Sequence, residues 1–148
     1  MIKKIMILNG PNLNLLGKRQ PEIYGVDTLH DMESSCLKYI SNFQMSMKWK
    51  QSNFEGQLID WIQEANSDFD GLIINPGAYS HTSMAIMDAL LAVTIPIIEV
   101  HLSNIHARDA MRHSSITAKA AAGVICGLGG EGYQLALQSL YNKLTLKD

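Results

Sequence analysis

The sequence predicts an α/β fold built on a five-stranded parallel sheet with helices on both faces. Two observations carry this expectation. Five short apolar runs alternate with stretches of helical periodicity along 148 residues, and consecutive runs are far enough apart for right-handed crossovers. The length suits a single domain spanning residues 1–148, and 47% hydrophobic with 18% charged residues is an ordinary soluble globular composition.

The elements follow in order. Residues 2–8 form a β-rich apolar run, read as a buried first strand; the run is too short for a signal-peptide core. Residues 9–25 contain Gly10, Pro11, Gly17, Pro21 and Gly25 and make a long loop, of the kind that serves as a lid or binding segment. Thr28 caps the first helix, with Asp31 approximating a capping box, and Leu29, Met32, Cys36, Leu37, Ile40 and Phe43 keep one face apolar. Met45, Met47 and Trp49 alternate with Ser46, Lys48 and Lys50, so the second strand has a wet face and belongs at an edge. A helix over 55–65 turns Leu58, Ile59, Trp61, Ile62 and Ala65 inward, and a third strand covers 71–74. A helix over 82–93, a strand over 96–101, a helical turn near 106–111, a strand over 123–126 and a helix over 131–144 complete the chain. With the half-polar second strand at an edge, the economical arrangement is a flavodoxin-like three-layer sandwich of strand order 2-1-3-4-5.

Composition removes several function classes. Twelve Lys and Arg against fourteen Asp and Glu give a formal net charge of −2, without the basic excess of a nucleic-acid binder. No apolar run approaches a bilayer span, so neither nucleic acid nor membrane is expected as a partner. Cys36 and Cys126 are expected to be reduced thiols in a cytoplasmic protein. The glycines of 127–132 fit G-x-G-x-x-G, but too little chain follows for a dinucleotide-binding unit, so they read as a tight turn with close helix–sheet packing. P-loop, G-x-S-x-G and metal-ligand spacings are lacking, and no metal or cofactor is expected. Ser80, Ser83, Ser114 and Ser115 read as capping or hydrogen-bonding residues.

In such a sheet, ligands bind beyond the carboxyl ends of the strands. The segments after the first, third and fourth strands hold all three arginines (Arg19, Arg108, Arg112) and four of the five histidines (His81, His101, His106, His113). Arginine's planar fork suits an anionic ligand. Glu99 and His101 lie two apart on a strand and project to one face; a carboxylate there fixes the imidazole tautomer and favours its protonated form. By themselves the two serve equally well as a structural hydrogen bond. Arg19 and Tyr24 share the long loop. A free tyrosine is only about 0.1% ionised at neutral pH, and a base poised near neutrality needs roughly 3–4 kcal/mol of stabilisation, most of which one close guanidinium can supply. A rim tyrosine stacking on an arginine is the plainer reading of that pair.

The segments 9–17 with Arg19 and Tyr24, 75–83 with Asp88, and 99–104 together resemble type II 3-dehydroquinate dehydratase, and the likeness extends over essentially the whole chain to Arg108, Arg112 and 122–127. The resemblance implies a flavodoxin-like subunit, commonly assembled as a homododecamer (a tetramer of trimers). It implies trans-dehydration of 3-dehydroquinate to 3-dehydroshikimate through an enolate, without cofactor, in shikimate biosynthesis or quinate breakdown. It makes Tyr24 the base at C2, Arg19 the group that keeps it ionised, Asn12 the enolate stabiliser, and His101 the leaving-group acid oriented by Glu99. Asn75, His81, Asp88, Leu102, Ser103 and Arg112 would hold the substrate, and Arg108 would close or polarise the site. Lys18, Gln20 and Phe54 depart from the family pattern without touching a residue assigned to chemistry. The competing readings are a flavodoxin-like module that binds a small anion without catalysis, and a flavin-bearing electron carrier.

Overall fold

The computed structural model of the chain describes residues 1–146. Its sheet is five-stranded and parallel, in the order β2-β1-β3-β4-β5 that the sequence predicts. The strands are β1 (Lys3–Asn9), β2 (Met45–Gln51), β3 (Gly71–Asn75), β4 (Ile97–His101) and β5 (Gly123–Cys126). The helices are α1 (Pro21–Tyr24), α2 (Leu29–Ile40), α3 (Glu55–Asp68), α4 (Tyr79–Thr82), α5 (Met84–Leu91) and α6 (Glu131–Thr145).

Alternation along the buried strands divides the core into two layers. Ile5, Ile7, Ile73, Ile98 and Val100 face α2 and α6, where they meet Met32, Cys36, Tyr133, Ala136, Leu137 and Leu140. Met6, Leu8, Leu72, Ile74 and Ile97 face α3 and α5 across Leu58, Ile62, Ala65, Ile86 and Leu90. Each fully buried Leu or Ile contributes about 1.5–3 kcal/mol, and both faces need such a cover because every residue of β3 and β4 is buried. Burial also pushes the Cys36 thiol up to about 12. The capping box of α2 forms as expected: Asp31 N–H donates to Thr28 Oγ1 at 3.1 Å and Thr28 N–H to Asp31 Oδ2 at 2.9 Å. At the sheet edge, Lys50 turns back onto Glu64 (3.1 Å) and lies 4.9 Å above the Trp61 ring. Gly132 admits no Cβ without crowding Val100 Cγ1 at 3.3 Å, so α6 does sit closely on β4.

Three local expectations are corrected. The first strand begins at Lys3 and runs on to Asn9, which the sequence had left in the loop; its side chain is buried because Lys50 O and Tyr133 satisfy it. The helix expected over 82–93 is the shorter α5, and Thr82 belongs to a separate one-turn helix, α4, that precedes it. Ser83 leaves helical geometry (φ −91°, ψ 96°) and its Oγ accepts from Ile86 N–H at 3.0 Å, which ends α4 and caps α5. The long loop after β1 is not irregular throughout, and the segment after β4 has the helical turn expected near 106–111 as two 3-10 turns and adds a third. The first folds as a 3-10 turn (Leu13–Leu15) followed by α1, and the second as 3-10 turns Ile105–Ala107, Ala110–Arg112 and Thr117–Ala120. No helix among the described residues is long and apolar enough to cross a membrane.

Candidate active site

The register brings three strand ends to one level: Asn9 of β1 pairs with both Gln51 of β2 and Asn75 of β3. Beyond that level Gly10 N–H donates to Asn75 O at 2.8 Å. A Cβ on Gly10 would stand 2.4 Å from the Pro76 carbonyl oxygen, so only glycine lets the exits of β1 and β3 touch. Gln51 Nε2 donates to Gly10 O at 3.0 Å and to Asn53 Oδ1 at 3.1 Å. Asn53 Oδ1 in turn accepts from Asn12 N–H at 3.0 Å, fixing Asn12 at a left-handed φ of 68°.

The exits of β1, β3 and β4 enclose a cleft of about 670 Å³ lined by Asn12, Arg19, Tyr24, Asn75, His81, His101, Leu102, Ser103, Arg108 and Arg112, among others. Glu99 lies beneath it. Its carboxylate is fully buried and accepts from His101 Nε2 (2.8 Å), Ser115 Oγ (2.6 Å) and Thr117 Oγ1. Burial alone would raise this carboxyl, but the donated hydrogen bonds outweigh it and hold Glu99 below the usual carboxylate range. A carboxylate only accepts, so Nε2 carries a proton and Nδ1 is the nitrogen left to serve the cleft. His81 is oriented the other way. Its Nδ1 donates to Ser114 O at 2.8 Å, leaving Nε2 as its acceptor, and its ring stacks 6.4 Å from that of His101.

Across the cleft, α1 presents the half-buried Tyr24. The cation at its oxygen is Arg108, whose Nη1 donates to the phenol at 2.8 Å. Arg19, which the sequence paired with Tyr24, lies over the ring face, its Cζ 5.5 Å from the centroid. Local spacing suggested the neighbour five residues away; the closer contact comes from 84 residues away along the chain, through the fold. Arg112 Nη1 meets both Asp109 carboxylate oxygens, at 2.8 and 2.7 Å; these hydrogen bonds raise the arginine and lower the aspartate from their ordinary values. Asp88 sits on the exposed side of α5 and does not line the cleft. Among the described residues, no three His, Cys, Asp or Glu side chains gather as a metal site.

The cleft therefore pairs a phenol oxygen under a guanidinium proton, which favours negative charge there, with an imidazole backed by a carboxylate. One side can take a proton and the other give one, beside arginines that suit an anionic ligand. Gln51, Asn53, Thr117 and Tyr133 support this arrangement and were not singled out from the sequence. Only Ser115, read as a hydrogen-bonding residue, gave a signal. Thr117→Val, which keeps shape and removes one donor, should cost about 1.5–3 kcal/mol at neutral pH. Glu99 titrates below its ordinary 4.5 in the fold, so its stabilisation is full above that pH and lost as pH falls through the lower folded value. The variant's deficit should therefore be greatest near neutrality and shrink in acid, as read from urea midpoints against pH.

Residues 3–141 match the family described as dehydroquinase class II. The chain is 54% identical over 145 residues to the 3-dehydroquinate dehydratase of a Chelativorans species, covering 97% of this chain and 100% of that one. It is 54% identical over 140 residues to the 3-dehydroquinate dehydratase of Brucella canis, covering 95% and 89%. Among solved structures, the type II dehydroquinase of Butyrivibrio crossotus matches with a TM-score of 0.92 at 44% identity, over 94% of this chain and 97% of that one. That of Propionibacterium acnes also matches with a TM-score of 0.92, at 42% identity over 96% and 98%.

Proposed function

The chain belongs to the class II dehydroquinase family, and from that premise we propose that it removes water in trans from 3-dehydroquinate, giving 3-dehydroshikimate through an enolate. The observation that carries this reading is the Arg108–Tyr24 hydrogen bond facing the Glu99–His101 pair in one cleft. A module that merely binds an anion has no use for a cation-stabilised phenol opposite an acid.

The chemistry follows from the groups. The proton lost is α to a ketone, so removal needs a base, and the resulting enolate oxygen needs a donor. Tyr24, as phenolate under Arg108 and Arg19, takes the C2 proton. Asn12 stabilises the enolate oxygen through water. The enolate then collapses, the carbon–oxygen bond to the leaving hydroxyl breaks, and protonated His101 supplies the hydrogen that makes it water. Proton transfer from the Tyr24 phenol back to the imidazole through solvent restores both groups. Glu99 holds His101 in the tautomer that turns Nδ1 to the substrate. Arg112 takes the substrate carboxylate, exchanging its solvent-exposed Asp109 partner for it, and Asn75, His81, Leu102 and Ser103 hold the hydroxyls. Asp88 has no part in this single-chain pocket.

The reading places the protein in the shikimate pathway, in the cytoplasm, as a homododecamer. The outward apolar side chains Phe54, Met84, Leu91 and Met111 offer surface for such an assembly to bury. The test mixes chelator-treated protein with 3-dehydroquinate and follows the ultraviolet absorbance of the conjugated enone. Absorbance should grow in proportion to enzyme; none at any protein concentration overturns the reading.

A further inference from the structure

Tyr133 on α6 is fully buried, lies outside the cleft lining, and has no part in the chemistry above. Its hydroxyl nevertheless stands between two asparagines that end neighbouring strands. It donates to Asn9 Oδ1 at 2.5 Å and accepts from Asn75 Nδ2 at 3.0 Å. The ring is held against Trp49 at a centroid distance of 4.9 Å.

The direction of donation along this chain is fixed at both ends. Asn9 Nδ2 donates to the Lys50 carbonyl at 3.2 Å, so the oxygen of that amide must face the phenol. A phenol has one proton to give, and burial pushes Tyr133 far up from its ordinary value, so the proton stays on. Given to Asn9, that proton leaves only a lone pair for Asn75. At the far end Gly77 N–H donates to Asn75 Oδ1 at 3.2 Å, which demands oxygen on that side. Asn75 is thus locked in one of its two amide orientations, with one Nδ2 hydrogen on Tyr133 and the other left for the cleft that Asn75 lines.

We infer that Tyr133 is a positioning residue for substrate recognition: through a one-way hydrogen-bond chain from Asn75 to Tyr133 to Asn9 to the Lys50 carbonyl, it makes Asn75 present an N–H donor to a substrate oxygen. Without the phenol oxygen the Asn75 amide loses the buried acceptor that holds its nitrogen, and the Gly77 N–H contact at 3.2 Å alone is left to oppose a flip. A flipped amide would turn its carbonyl toward the substrate oxygen and repel it. The effect falls on binding, because neither Tyr24 nor His101 contacts this chain of bonds.

The inference rests on the dehydratase reading for its assay. Tyr133→Phe should raise KM about tenfold and leave kcat within about threefold, the scale expected when one buried polar partner is lost. Ile62→Ala, a buried core change on the opposite face of the sheet, controls for lost stability and should leave KM unchanged. In an Asn75→Ala background, Tyr133→Phe should raise KM no further. An equal KM for Tyr133→Phe and Ile62→Ala, or the same increment with and without Asn75, overturns the inference while leaving the dehydratase reading intact. A wild-type protein without turnover faults that reading instead. Should Tyr133→Phe not fold, the native protein decides by nitrogen-15 NMR. One Asn75 amide hydrogen should be protected from solvent exchange, and the other should shift when the equilibrium mixture of 3-dehydroquinate and 3-dehydroshikimate is added; two unprotected, unshifted hydrogens overturn the inference.

Discussion

Tyr24→Phe should fold, bind substrate and lose turnover by about 10³-fold or more, the upper part of the range for removing a general base. The substitution deletes one oxygen and keeps the ring. Tyr24 is half-buried at the cleft rim, and its phenol oxygen accepts from Arg108, which is also half-buried and can turn to water. Stability should therefore change by less than about 1 kcal/mol. The ring surface under Arg19 and Arg108, with centroid distances of 5.5 and 5.3 Å, survives the change, so the rim keeps its shape and its positive charge. Titration calorimetry should give an affinity for 3-dehydroquinate within a few-fold of wild type while the enone signal is nearly abolished. Turnover within tenfold of wild type would mean that another group takes the C2 proton. Loss of binding together with turnover would mean that the phenol holds the substrate.

The architecture was legible because it depends on patterns that repeat locally. Alternation in 45–50 marked the edge strand, the capping pair Thr28 and Asp31 marked the start of α2, and the runs around Ile73 and Ile98 could only be doubly covered strands. What escaped was non-local. Asn9 looked like the first residue of a loop because asparagine punctuates chains; it ends a strand because two partners distant in sequence, Lys50 and Tyr133, absorb its amide. The cation at Tyr24 could not be chosen between Arg19 and Arg108 without knowing how the segment after β4 folds back over the one after β1. Tyr133 was not singled out within the helix expected over 131–144. Its hydroxyl acquires meaning only when β1 and β3 are laid side by side in register. Tyr24, Glu99 and His101 nonetheless stood out as pairs in segments whose composition departs from the rest of the chain, while the role of Asn12 and the choice of catalysis over plainer readings rested on the family resemblance.

His101→Ala should divide the reaction in two. Dehydration should fall by about 10²–10⁴, the usual yield of a positioned acid, while exchange of the C2 hydrogen with solvent deuterium should fall far less. The separation follows from the geometry. In the proposed mechanism, abstraction at C2 uses the Tyr24 oxygen, which the Arg108 guanidinium meets on the α1 side of the cleft. The imidazole stands at the end of β4, tied to Glu99 beneath it, and in that mechanism acts only when the hydroxyl departs. Without it the enolate still forms but returns to ketone, taking a solvent deuteron on the way. Removing the ring does not strand Glu99, because Ser115 and Thr117 still donate to its carboxylate and water can enter the emptied space from the cleft. Proton NMR of 3-dehydroquinate in deuterated buffer reads exchange, and the enone absorbance reads dehydration on the same sample. Equal loss of both would place His101 at the first proton transfer, and the division of labour between the two sides of the cleft would fall with it.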